Sequence, residues 1–173
     1  EALERIDSAL EVASASSKAH TLRGHILRKL GRRREAEAAF DQARKHDPLD
    51  YWSVTERCFL HNRGSRALAT ADLRRGYRLQ ELLEVVTDYG NLGAFEEAIE
   101  LLAQAEEAKG PYASPLLKYY AGYYRLRQGN SGVARALFAL AAQMPVDLCF
   151  PFRHEELAML EQAAGLCPSD ANT

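Results

Sequence analysis

Three stretches of the chain repeat one spacing of small and bulky residues. Gly31, Gly93 and Gly129 are each followed five residues later by an alanine (Ala36, Ala98, Ala134), four further on by a large apolar residue (Phe40, Leu102, Phe138), and three further on by another alanine (Ala43, Ala105, Ala141). The intervals of four and three keep alanine and bulky residue on one face of a helix. A glycine just before such a run fits the left-handed stop of the preceding helix, where a Cβ costs energy. The pattern therefore prescribes helix, glycine stop, helix. The alanines allow close helix approach, and the bulky residues fill the gap.

The preceding helix is legible too. Gly24 and Gly122 stand twelve residues before Ala36 and Ala134, and Val86 holds the equivalent place before Ala98. Pro48 cannot continue a helix and ends the first hairpin. Ala2, Ile6 and Ala9 have the spacing of Ala36, Phe40 and Ala43, so the chain opens on a second-type helix. The resulting units are a partial repeat over 1–15, repeats over 17–48, 79–109 and 115–145, a degenerate repeat over 50–76 with Ala67 in the small position, and a partial repeat over 152–168. Ala36, Ala67 and Ala98 are spaced by 31 residues. The segment 144–152, rich in proline and apolar residues, is expected to be an irregular apolar crossing, and 152–165 to be one more second-type helix. No strand pattern competes: Val85-Val86 and Tyr119-Tyr120 sit within helical periodicity.

The unit running from Ser17 to Asp50, with Gly24, Leu27, Gly31, Ala36, Phe40, Ala43 and Pro48, resembles the tetratricopeptide repeat, a helix–turn–helix of about 34 residues; His20 replaces its usual leading aromatic. Leu116 to Pro145 resembles it nearly as closely. The likeness implies an all-α fold: an α-solenoid of antiparallel helix pairs in a right-handed superhelix, with about four to five repeats and partial units at both ends. It also implies a concave groove lined by the first helices. The stretch Asp147 to Leu157 is similar to large bacterial proteins in which such repeats follow a β-rich domain related to sugar mutarotases. Neither end reads as a polar cap, so the chain is expected to be a piece of a longer protein.

Charge narrows the partners. The 22 Lys+Arg and 24 Asp+Glu leave a net −2, but residues 1–80 carry 16 against 11 and residues 81–173 carry 6 against 13. RNA recognition by helical repeats needs basic residues in every unit, and the acidic second part disfavours it. No apolar run approaches the roughly 20 residues of a membrane span. Cys58, Cys149 and Cys167 are too few and too scattered for a disulfide framework or a paired zinc motif; they point to a reducing, cytoplasmic setting.

Nothing in the residue pattern carries catalysis. His154-Glu155-Glu156 lacks a second His one turn on, His20 and His25 diverge by about 140° on a helix, and the glycines form no phosphate cradle. The chain is expected to be non-catalytic, with no cofactor and no metal. Projection of the first helices places Lys18, Thr21, His25 and Arg28, then Trp52, Glu56 and Phe59, then Leu83 and Thr87, then Tyr119, Tyr123 and Arg127 on the groove. Trp52, Tyr119 and Tyr123 are its expected anchors, and Arg28, Lys29 and Arg127 its anion contacts, since aromatics and arginine dominate binding hot spots. The expected partner is a protein or peptide segment. The alternatives are packing against a β-rich domain of the same parent chain and homodimerisation through the ends of the array.

Overall fold

The computed structural model describes residues 1–61, 79–109, 113–147, 149 and 151–167. It divides into two compact units, Glu1–Leu68 and Ala69–Thr173. Among the described residues every regular element is an α-helix and there is no strand.

The first unit holds α1 (Ala2–Val12), α2 (Ser17–Lys29), α3 (Arg33–His46) and α4 (Tyr51–Leu60). α1 packs on α2, α2 and α3 form a hairpin, and α4 lies against both. Helix starts follow from local chemistry: Ser16 caps α2 by accepting the Ala19 N–H at 3.2 Å, and Asp50 caps α4 through the Trp52 and Ser53 N–H groups at 3.1 and 3.2 Å. Leu27, Ala36, Ala39, Phe40 and Leu60 make the core, with Leu3 packed against it.

The second unit holds α5 (Leu79–Asn91), α6 (Phe95–Lys109), α7 (Pro115–Arg127), α8 (Ser131–Ala142) and α9 (His154–Leu166). α5 packs on α6, α6 on α7, α7 on α8, and α9 on α7 and α8. α9 relates to α7 and α8 as α4 does to α2 and α3, so it takes the place of a first helix. This corrects the expected second-type assignment, because its buried residues Glu156, Met159 and Ala163 face the preceding hairpin rather than a mate of its own. In the crossing before α9, Val146 and Phe152 are exposed; Leu148 and Phe150 lie outside the described residues.

The repeated spacing has the predicted geometry. Gly31, Gly93 and Gly129 have φ of 74°, 70° and 82°. At each, the glycine N–H and the next N–H reach back to the last helical turn (Gly31 to Arg28 and Arg32 to Leu27, Gly93 to Gly90 and Ala94 to Tyr89, Gly129 to Leu126 and Asn130 to Arg125). This is the double hydrogen bond of a Schellman stop. Ala36, Ala98 and Ala134 are fully buried, as are Phe40 and Phe138, with Leu102 nearly so. A Cβ on Gly24 would collide with the Phe40 ring, and one on Gly122 would lie 2.5 Å from the Phe138 ring. Where Val86 replaces the glycine, the register supplies Leu102, a smaller side chain than phenylalanine, and both are buried. Ser65–Arg75, with Ala67, lies outside the described residues.

Candidate binding faces

In the first unit, α2 and α4 bring their polar residues together. The Glu56 carboxylate, wholly buried, accepts the Arg28 Nε–H at Oε2 (2.7 Å) and Nη2–H at Oε1 (3.1 Å), and its Oε1 lies 2.9 Å from His25 Nδ1. Burial pushes the Glu56 pKa up, but the His25 and Arg28 hydrogen bonds and charges outweigh it and hold the carboxyl down at about 2. The Arg28 guanidinium lies 5.4 Å from the centre of the Phe59 ring. One turn earlier, Asp50 Oδ2 accepts the Ser17 and Thr21 hydroxyls at 2.7 and 2.5 Å.

The groove residues expected from α2 and α4 are thus largely spent on each other. His25, Glu56 and Trp52 are buried, with Trp52 at 5% exposure. This corrects their assignment as accessible groove residues. Thr21 is buried, Arg28 keeps a small exposed edge, Phe59 is half-buried, and Lys18 and Lys29 are exposed.

In the second unit, tyrosines make the joints. The Tyr124 hydroxyl donates to the Val86 carbonyl at 3.2 Å, and its ring occupies the space that a Cβ on Gly90 would need. Tyr120 donates to Glu156 Oε1 at 3.1 Å, while Glu156 Oε2 accepts the Phe152 and Arg153 N–H groups at 2.7 and 2.9 Å. Arg153 donates to the Gln80 carbonyl at 2.8 Å and to its side chain. Burial raises the pKa of Tyr120, helped by the Glu156 charge, and burial likewise raises that of Tyr124 beside its tyrosine neighbours, so both stay neutral donors.

Tyr119 is buried and stacked on Phe138, with ring centres 6.1 Å apart; it is core, not the expected anchor. Leu83 is also core, and Thr87 is half-buried. Tyr123 and Arg127 remain accessible. The exposed Arg127 guanidinium sits 5.6 Å from the centre of the Phe95 ring and 5.8 Å from that of Tyr123, and its Nη1 donates to the Tyr123 hydroxyl at 3.3 Å. Phe95 was not among the expected residues: it begins a second helix, which the first-helix projection ignores.

A further feature lay outside the projection. A cleft of about 480 Å³ opens in the first unit, lined by Asp7 and Glu11 of α1, His20 and Arg23 of α2, and Ala38, Ala39 and Gln42 of α3. Arg23 donates to Asp7 across it at 2.6 Å. Among the described residues, no group of three His, Cys, Asp or Glu is placed to hold a metal ion, and no helix is long and apolar enough to cross a membrane.

Stacked antiparallel helix pairs with a repeated small–large wedge define an all-α helical-repeat protein. Within it, residues 17–47, the hairpin of α2 and α3, match the family model of the tetratricopeptide repeat. Comparison of the chain with curated proteins and with solved structures gave no match. Repeats of this family generally mediate protein–protein interaction and are typically scaffolds rather than catalysts.

Proposed function

We propose that the chain is a non-catalytic scaffold that takes a protein segment on the first-helix face of its second unit, around Tyr123 and Arg127. The observation that carries this reading is the accessible guanidinium of Arg127, steadied between the Phe95 and Tyr123 rings. An arginine held in this way loses little side-chain freedom on binding, and its fork suits a carboxylate or a backbone carbonyl. An aromatic–arginine cluster with an open face is the composition from which binding hot spots are made. Among the described residues of the first unit, the expected groove set leaves Lys18, Lys29, the edge of Arg28 and the half-buried Phe59 accessible.

The test is affinity capture with the chain and with Tyr123→Ala/Arg127→Glu, quantified partner by partner. Removing two hot-spot groups should weaken the specific partner by about tenfold or more. Equal recovery of every captured polypeptide by the two proteins would overturn the assignment.

A further inference from the structure

Two arginines of the first unit show how this chain satisfies a guanidinium. Arg28 gives its Nε–H and Nη2–H to the two oxygens of Glu56, at 2.7 and 3.1 Å, beside the Phe59 ring. Arg32 gives the same two groups to the two oxygens of Glu35, at 2.7 and 2.6 Å. Nε–H and Nη2–H run parallel along one edge of the guanidinium, and a carboxylate supplies one oxygen to each.

In the second unit Arg127 has the ring neighbours without the acid. Phe95 and Tyr123 border its guanidinium, and Nη1, on the other edge, donates to the Tyr123 hydroxyl at 3.3 Å. Among the described residues nothing accepts from its Nε–H or Nη2–H, and no carboxylate pairs with it. Glu96 follows Phe95 in sequence, yet its Oε1 accepts Gln128 Nε2 at 2.7 Å, and Gln128 Oε1 accepts Arg125 Nη1 at 3.1 Å. The Tyr123 oxygen is taken by Arg127, so its hydrogen remains to be given. The open polar groups of the cluster are therefore all donors, set beside two apolar rings.

We infer that Arg127 receives an acidic side chain, Glu or Asp, of a bound protein segment, completing here the arrangement that Glu56 completes at Arg28. The inference rests on the binding site proposed above and names what that site reads. A backbone carbonyl has one oxygen for two parallel donors, whereas a carboxylate has two. A chain-terminal carboxylate brings its own amide N–H close behind it, which needs an acceptor that the cluster does not offer. A Glu or Asp side chain brings methylenes instead, and these suit the ring faces. A phosphate would carry up to two negative charges to a single cation, on a unit whose residues 69–173 hold 9 Lys+Arg against 14 Asp+Glu. One charge spread over two coplanar oxygens is the better match.

The probes are pools of short acetylated, amidated peptides with random uncharged residues around a central Glu, Gln or phosphoserine. A further pool has a central Gln and a free C-terminal carboxylate. Retention of each pool is measured on the immobilised full chain. The Glu pool should be retained at least about tenfold better than the Gln pool. Arg127→Lys keeps the charge but loses the parallel edge, and should remove most of that preference. Tyr123→Phe keeps the ring and should reduce the preference about threefold. Equal retention of the Glu and Gln pools, with both lost in Tyr123→Ala/Arg127→Glu, would leave the binding site standing and overturn its preference for an acid. Retention indifferent to that double variant would overturn the site, and this inference with it. A Glu preference undiminished in Arg127→Lys, stronger retention of the phosphoserine or free-terminus pool, or retention of no pool also overturns the inference.

Discussion

Among the described residues, each unit buries a glutamate between successive first helices, and each meets an arginine, but the remaining partners differ. In the first unit Glu56 of α4 is met by Arg28 and His25 of α2, side chains carrying or able to carry positive charge. In the second, Glu156 of α9 is met by a tyrosine hydroxyl and two backbone N–H groups, with Arg153 at 3.5 Å. The hairpins are built alike, with Schellman stops and the small–large wedge, so the difference belongs to the joints. Hairpin geometry is local and repeats; joint chemistry is free to vary once a buried polar group finds enough partners.

The largest expected effect tests that contrast directly. Glu56→Gln leaves Arg28 and His25 facing a neutral group and should cost about 3–5 kcal/mol in chemical denaturation. Glu156→Gln keeps an oxygen acceptor for Tyr120 and the backbone donors and should cost about 1–3 kcal/mol. Equal losses would mean that the two joints are energetically alike despite their partners.

Acid should separate the units by the same route. The Glu56 carboxyl ordinarily titrates near 4.5 and is held at about 2 in the fold. Its contribution is present above pH 4.5 and is lost as pH falls from there through 2, when the native state must take up a proton it resists. A stability–pH curve should fall across that window, and Glu56→Gln should remove most of this slope.

A smaller effect concerns the wedge. Replacing a helical glycine by alanine usually stabilises by about 1 kcal/mol, but at Gly24 the new methyl meets the Phe40 ring. Gly24→Ala should instead cost about 1–3 kcal/mol, and the thermal midpoint should partly recover in Gly24→Ala/Phe40→Leu. Smallest of all, Arg127→Ala should change stability by about 0.5 kcal/mol or less, because the side chain is exposed. A larger loss in thermal unfolding would make it a structural residue rather than a binding one.

The hairpins were readable from the chain because everything that makes them lies within about twenty residues: the glycine stop, the wedge alanine and the bulky partner. The joints were not, since each depends on residues from two units. Trp52, His25, Glu56 and Tyr119 lie on helix faces that projection alone sends toward a groove, and only the neighbouring helix decides that they are covered. A usable signal did exist. His25 and Glu56 are 31 residues apart, the same interval that separates Ala36, Ala67 and Ala98, which makes them register mates on adjacent first helices. Gly90 gave no such hint, because the ring it accommodates, Tyr124, comes from the next hairpin. The type of α9 is not legible in the sequence, because an isolated helix shows which face is apolar but not which neighbour it meets.

The wedge pairs also constrain how such a chain can change over time. Two hairpins use a phenylalanine against a bare glycine, and the third uses leucine in the register of valine. Passing from one solution to the other by single steps requires an intermediate with either a hole where the ring had been or a methyl forced into it. Each hairpin is thus held near its present pair, and sequence drift there should come as coupled exchanges while neighbouring surface positions wander singly.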